Sequence, residues 1–477
     1  MLLKKRCDKI WKQVSKPVGL IILVAVTLFI TTNFTGSSRG ILSMLGIDSA
    51  YVTSVPLDDR ASLPARFLSQ IATDDPASIM GSGNTGVRSP NETNSELELL
   101  NNVGVKWTRT VLYPKLDYWS GPGLTPNPSV LDEFMLEAYE HRIQPMLLFA
   151  HNGKWTSIGD YQKWYDTGFA FANRFKPNSS WLISQGIENW GIEIYSAVNE
   201  PEIVNFPIMG EESYLSLLEG LADGVHTADP DLKVIPGGFV SANSGKKAYL
   251  KAIAPLFNNG KLDGIDLHKY VNWRQVINRT DWTAQNMFEK AKKEGGIVAD
   301  INYYSTEFNS KGDAMSETEA AKLFLTIAWD HLGVVGNSGE GVTRFAMPWS
   351  LLHTASDYPA FGMSRSIEPL KLAPRAEVLK LMLDLSQGMK LVFRDPKHTG
   401  IYILEGNNKK MWVWQNIKKW TNKPGKSFKI TGIPLSATEL KVYGWDGLRN
   451  TYPLSKQTTY KVSDLLPQET YMFVATQ

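Results

Sequence analysis

A regular exchange of helical and strand-like segments runs through the middle of this chain, and it limits the fold more than any other feature. Amphipathic stretches with apolar residues at helical spacing, such as 94–104, 129–142 and 214–229, alternate with short apolar runs. The runs are VKWTRTVLYP (105–114), IQPMLLFAHN (143–152), GIEIYSAVNE (191–200), LKVIPGGFV (232–240), LDGIDLHKY (262–270), DINYYSTEFN (300–309) and VTRFAMPWSLL (342–352). Strands separated by helices pair in parallel through crossovers. A first strand near Ala77–Ser82 completes eight units over about 300 residues, which indicates an α/β chain closed into a (β/α)8 TIM barrel. An open doubly wound sheet is the alternative, set aside for want of a Gly-rich phosphate loop.

Both ends depart from this pattern. After about Met389 the chain breaks into short alternating runs punctuated by Gly, Asn and Pro, the pattern of a C-terminal all-β sandwich module of six to eight strands. At the other end, Lys4, Lys5, Arg6, Lys9, Lys12 and Lys16 precede an uncharged run from about Val18 to Thr32. A helix of about 17 residues or more can cross the hydrocarbon core, and basic residues before it hold the N-terminus in the cytoplasm. The reading is one transmembrane signal-anchor in the plasma (inner) membrane, with the catalytic part periplasmic or extracellular. A cleaved signal peptide is the alternative, although no clear small-x-small cleavage site lies beyond the run. The expected division is 1–34 basic segment and anchor, 35–75 stalk, 76–388 barrel, and 389–477 β-module.

Composition narrows the chemistry. Of 477 residues, 43% are hydrophobic and 21% charged, which is a folded chain, and a net charge of +2 gives no basis for a nucleic-acid partner. The sole cysteine, Cys7, precedes the apolar run, so the chain beyond that run holds neither disulfide nor thiolate chemistry. No metal or organic cofactor is implied, and a monomer is expected. Fifteen Trp residues supply flat apolar surface of the kind sugar rings stack on.

In such barrels the C-terminal strand ends form the active face. Here those ends are polar: Arg109 on the second strand, His151-Asn152 on the third, Asn199-Glu200-Pro201 on the fourth, His268 and Tyr270 on the sixth, Glu307 on the seventh and Trp349 on the eighth. His268 and Tyr270 are two apart, so they share a face. Glu200 and Glu307 lie three βα units apart, across the barrel mouth from one another. Two carboxylates facing a sugar bond are what glycoside hydrolysis requires. Asn199 is a neutral donor for a sugar hydroxyl, Arg109 and Tyr270 can keep Glu307 ionised, and Trp349 can form the floor under a ring. His151 and His268 are candidates for contact with substrate or with the acids. Trp155, Trp273 and Trp282 are further candidates for sugar stacking, whereas Trp412 and Trp414 read as packing, and Glu193 and Glu202 as solvated or structural.

The set Arg109, Asn199-Glu200-Pro201, His268-x-Tyr270, Glu307 and Trp349 resembles the clan A glycoside hydrolases. With the β-module it looks most like glycoside hydrolase family 39, and with the anchor like the membrane-tethered bacterial enzymes that trim biofilm exopolysaccharide. The resemblance covers roughly residues 75 to 477. It implies that Glu200 is the acid/base and Glu307 the nucleophile of a retaining enzyme, endo-acting on a polysaccharide.

Two other classes stay open at this point. One is a metal-dependent barrel enzyme with Glu200, His268 and Glu307 as ligands, against which the strand ends offer no closely spaced acidic or His cluster. The other is a tethered carbohydrate-binding or scaffold protein without catalysis.

Overall fold

The computed structural model describes residues 76–86, 90–112, 128–150, 159–203, 209–240, 246–278, 282–311, 315–349, 363–366, 371–395, 400–417 and 426–476. The anchor and stalk expected in 1–75, together with His151 and Trp155, lie outside these residues. Among the described residues no helix is long and apolar enough to cross a membrane. All of them belong to one compact unit.

Strands β1 (Gly81–Gly86), β2 (Trp107–Leu112), β3 (Gln144–Phe149), β4 (Ile194–Ala197) and β5 (Lys233–Pro236) pair in that order, all parallel. So do β6 (Phe239–Val240), β7 (Gly264–Val271), β8 (Asn302–Ser310) and β9 (Thr343–Pro348). β5 and β6 are halves of one barrel strand parted at Gly237-Gly238, and a parallel bridge from Met80 to Ala346 links the first strand to the last. The sheet therefore closes with eight strand positions, of which β7, β8 and β9 are the sixth, seventh and eighth.

The first strand begins later than expected, because Ala77 and Ser78 belong to a short helix, Pro76–Ile79. Its sequence, GSGNTG, does have the glycine spacing of a dinucleotide-binding turn, contrary to the expectation of no such loop. The glycines form the strand itself instead of a strand-to-helix turn, so the phosphate-binding context is missing.

Period-two alternation builds the barrel interior in layers. Trp107, Met146, Ile194, Ile235, Tyr304, Phe345 and Met347 form an apolar floor. Two residues further along their strands, Trp107 gives way to Arg109 and Ile194 to Ser196, while β7 presents Asp266, His268 and then Tyr270. The interior thus turns from apolar to ionisable toward the C-terminal ends.

A short antiparallel pair, β10 (Ser364–Ser366) and β11 (Lys371–Leu372), precedes the helix Pro374–Ser386. The C-terminal module comes next, with β12 (Lys390–Asp395), β13 (Ile401–Gly406), β14 (Lys409–Asn416), β15 (Lys426–Thr431), β16 (Glu439–Gly444), β17 (Gly447–Pro453), β18 (Thr459–Leu465) and β19 (Glu469–Thr476). Six strands form one sheet, ordered β12-β13-β14-β19-β16-β17, and β15 pairs with β18 as a separate ribbon. Alternation again divides the faces. Met411, Val413, Met472 and Val474 join the barrel's core, whereas Trp412, Tyr471 and Phe473 pack with Ile430 and Val462 of the ribbon. Trp414 stacks on Phe428 at 4.9 Å, so both Trp side chains are packing residues, as expected. Thr326 of the helix Glu317–Leu332 meets Thr470 at 2.8 Å and accepts the Gln415 amide at 2.7 Å, stitching module to barrel.

Candidate active site

The apolar run of β4 ends on Asn-Glu-Pro because the chain there makes a tight, strained turn. Val198 and Glu200 both adopt left-handed backbone, with φ of 60° and 50°. Such a conformation costs a non-glycine residue about 1–3 kcal/mol and is least natural for a β-branched one. The neighbouring strands hold it in place. Val198 N donates to Phe149 O at 2.9 Å, and Glu200 N donates to Gly238 O at 3.1 Å. Val240 N donates to the Glu202 carboxylate at 2.6 Å, so the turn is tied to β6 as well.

The partner acid is delivered by a different device. Between Asp266↔Tyr304 and Lys269↔Phe308, β8 advances four residues while β7 advances three. Between Ser305↔Ala346 and Phe308↔Pro348, it advances three against two on β9. One extra residue therefore bulges from β8 at Thr306-Glu307, and a bulge re-aims side chains. Consecutive residues that a regular strand would send to opposite faces both reach Arg109 here.

Arg109, buried on β2, joins the parts. Its guanidinium donates to the Glu307 carboxylate, to Thr306 Oγ1 at 3.0 Å and to Asn199 Oδ1 at 3.1 Å. Tyr270 donates its hydroxyl to Glu307 Oε2 at 2.6 Å. His268 Nδ1 lies 2.7 Å from Glu200 Oε1 and 3.5 Å from Glu307 Oε2, so one ring nitrogen faces both acids. Trp349, half-buried at the end of β9, meets Tyr270 edge to face at 6.4 Å. One oxygen of Glu200, one of Glu307 and a nitrogen of His268 all lie within 4.8 Å of one another.

The electrostatics separate the groups. Burial opposes charge on Glu307, but the charges of His268 and Arg109 and the hydrogen bonds from Tyr270 and Arg109 outweigh it, holding the carboxyl below the usual range. Burial also opposes charge on His268, yet Glu307, Glu200 and Asp266 push it up to about 9. At neutral pH the arrangement is an ionised Glu307 beside a cationic ring.

No protein-family model matches the chain, and no curated protein matches it by sequence. Among solved structures it is similar to a glucosidase from Croceicoccus marinus, 10% identical, with a TM-score of 0.61 over 85% of this chain and 97% of that one. It is also similar to a family 39 glycoside hydrolase from the gut symbiont Bacteroides cellulosilyticus WH2, 15% identical, TM-score 0.54, covering 85% and 82%. A family 30 subfamily 8 xylanase from Clostridium acetobutylicum is a third, 12% identical, TM-score 0.54, covering 84% and 96%. The chain has the fold of the clan A glycoside hydrolases.

Within that fold the structure brings Arg109, Asn199, Glu200, His268, Tyr270, Glu307 and Trp349 to one end of the barrel, as the strand ends suggested. It also produces the cluster said to be lacking, since Glu200, His268 and Glu307 converge closely enough to surround an ion. Their chemistry fits a metal poorly. A His ligand must be neutral, Glu307 is already taken by Arg109 and Tyr270, and the adjacent guanidinium would repel a cation.

Two of the candidate stacking residues pack into the protein instead. Trp282 is buried behind β7 with Lys269 Nζ 4.9 Å from its ring, and half-buried Trp273 donates its indole N–H to Glu319 O at 3.3 Å. Glu193 and Glu202, expected to be solvated or structural, are both buried. Burial pushes Glu202 up to about 7 against the backbone N–H groups and the His268 charge that oppose it. Asp266, Thr306 and Gly238 were missed altogether. The Asp266-x-His268 spacing was the available signal, because it places an acid directly below the ring.

Proposed function

We propose that this chain is a retaining glycoside hydrolase that cleaves O-glycosidic bonds of a polysaccharide by double displacement. The observation that supports this best is the pair Glu200 and Glu307, with oxygens within 4.8 Å. Retaining enzymes hold their carboxyls about 5–5.5 Å apart, whereas inverting ones need about 6.5–9.5 Å to seat a water.

In the first step Glu307, kept ionised by Arg109, His268 and Tyr270, attacks the anomeric carbon. Glu200 gives a proton to the departing oxygen as that bond breaks. In the second step Glu200 takes a proton from water, the hydroxide oxygen bonds the anomeric carbon, and Glu307 leaves as a carboxylate. Arg109 occupies Asn199 Oδ1, so Asn199 presents its amide N–H groups, the right polarity for a sugar 2-hydroxyl. Trp349 offers an apolar face beside the nucleophile.

The finer reading is endo cleavage of an exopolysaccharide by an enzyme tethered through its N-terminal apolar run. It rests on the family resemblance and on the basic residues flanking that run. The similar structures carry names from several sugars, among them a glucosidase and a xylanase, so the fold leaves the sugar open.

The test is digestion of an exopolysaccharide panel by wild type and Glu307→Gln, reading new reducing ends and product size, with chelator in a parallel arm. Shortened oligosaccharides from wild type, unaffected by chelator and absent with folded Glu307→Gln, are expected. Release of monosaccharide alone would refute endo action, and abolition by chelator would restore the metal reading.

A further inference from the structure

Below the two acids lies a group of side chains shut away from solvent. Asp266 and Thr306 are each only 1% exposed, and His268 not at all. Thr306 N donates to Asp266 Oδ1 at 2.9 Å, and Thr306 Oγ1 donates to Asp266 Oδ2 at 2.6 Å. The same hydroxyl oxygen lies 3.0 Å from Arg109 Nη1 and 3.0 Å from His268 Nε2.

A hydroxyl has one hydrogen and two lone pairs. Burial pushes the Asp266 carboxyl up, but the charges of His268 and Arg109 and the two hydrogen bonds from Thr306 oppose this and favour its ionised form. Ionised, it can only accept, so it takes the hydrogen. Arg109 can only donate, so it takes one lone pair. What Thr306 turns toward His268 is therefore its remaining lone pair, and Nε2 must carry a hydrogen to meet it. Arg109 Nη1 is 3.5 Å from Nε2, at the outer limit of a hydrogen bond.

The consequence reaches the acid on the ring's other side. With a hydrogen fixed on Nε2, the proton in the 2.7 Å contact between Nδ1 and Glu200 can move to the carboxylate and leave a neutral ring. Without it, Nδ1 could release its proton only by becoming an imidazolate, which is prohibitive near neutrality. We infer that Asp266, acting through Thr306, holds a proton on Nε2 of His268 and thereby makes the proton on Nδ1 available to Glu200. The balance closes. The Nδ1 proton passes to Glu200 and on to the leaving oxygen, which leaves Glu200 ionised beside a neutral ring, and in the second step the proton that Glu200 takes from water returns to Nδ1. Asp266 and Thr306 are thus positioning residues.

The proposal deepens the glycosidase reading and rests on it for its kinetic part only. The groups facing His268 are Glu200 and Glu202 after β4, Glu307 on β8, Arg109 on β2, and Asp266 on its own strand, where Tyr270, two residues on, shares the face and bonds Glu307. In Asp266→Asn the amide can donate to Thr306 Oγ1, which frees the hydroxyl hydrogen for Nε2 and reverses the polarity.

The experiment labels the histidine rings of the full chain with nitrogen-15 and reads their nitrogens by NMR across pH, assigning His268 by its loss in His268→Gln. Wild type should show both nitrogens protonated at neutral pH, with loss of a proton centred near 9. Asp266→Asn should show its midpoint lowered by about one unit or more, and above that midpoint a neutral ring protonated on Nδ1. Thr306→Val should follow Asp266→Asn, and Thr306→Ser should restore wild-type behaviour. The alkaline limb of kcat against pH should move down in the same two variants, with kcat reduced by about 10-fold or more and KM little changed.

If Asp266→Asn fails to fold, the Thr306→Val and Thr306→Ser pair decides alone. A doubly protonated ring with an unmoved midpoint in folded Asp266→Asn or Thr306→Val overturns the inference, as does Thr306→Ser behaving like Thr306→Val. The ring readout needs no substrate. A wild type with the expected ring but no hydrolysis would refute the glycosidase reading, whereas hydrolysis with an unresponsive ring would refute only this relay.

Discussion

Gly238 lies flat against the ring of His268: a β-carbon added at the glycine would fall 1.9 Å from Nε2. Neither side can yield cheaply. The ring is fully buried, and Gly238 O accepts the Glu200 backbone N–H at 3.1 Å. Gly238→Ala should therefore displace the histidine, the turn bearing Glu200, or both. A stability loss of about 1–3 kcal/mol is expected, together with a fall in kcat larger than that loss explains. Urea melts beside kinetics check this, and unchanged kcat in the folded variant would show that the contact is incidental.

The charge on His268 makes stability depend on alkaline pH. Its folded pKa of about 9 stands above the ordinary 6.5, because Glu307 and Glu200 outweigh burial. A raised pKa contributes stability that is fully present below about 6.5 and is lost as pH rises through about 9, on the order of 3 kcal/mol in all. Unfolding free energies measured from pH 6 to 10 should fall through this window in wild type and fall less in His268→Gln. Equal slopes would mean that the ring is neutral throughout.

How much of this is legible in the sequence depends on where each signal lives. The barrel is readable because alternation of periods is a local property, and the two acids because strand ends are where such barrels act. Thr306 is hidden, since a regular strand would send it away from the site when Glu307 faces in. Only the extra residue in β8 brings both to Arg109. Gly238 is hidden for a similar reason, because its neighbour His268 sits on the next barrel strand, thirty residues on. Trp282 misleads, since an indole after a strand can flank a cleft or pack behind the sheet, and only the fold decides. The convergence of Glu200, His268 and Glu307 is likewise a property of closure, invisible while each strand is read by itself.

Arg109 is placed to be more than a counter-ion. Its fork reaches Glu307, Thr306 and Asn199 together, which a lysine ammonium on a single point cannot reproduce. Arg109→Lys should keep the positive charge but loosen all three partners, lowering kcat by about 100-fold or more. Glu307 is held below the usual carboxylate range, and weakening Arg109 raises it. The acid limb of the pH profile should accordingly move to higher pH. A profile that keeps its acid limb would assign the depression to His268 and Tyr270 instead.

On the outer side of β7, the residue next to His268 sets up a separate prediction about folding. Lys269 points away from the barrel axis and pairs with Asp330 on the helix Glu317–Leu332, both side chains wholly buried. Asp330 also accepts the Ala284 backbone N–H at 2.7 Å, at the start of the helix Ala284–Gly295. One carboxylate thus ties a strand and two helices. Removing it by Asp330→Ala strands the lysine charge in a dry interior, so a loss of about 3–5 kcal/mol is expected. Replacing both partners, as Lys269→Met with Asp330→Leu, removes the stranded charge and should recover most of that loss, because burying two ions is itself costly. Denaturant melts of the single and double variants distinguish the cases. A double variant no more stable than Asp330→Ala would show that the Ala284 bond, and not the ion pair, holds the helices in place.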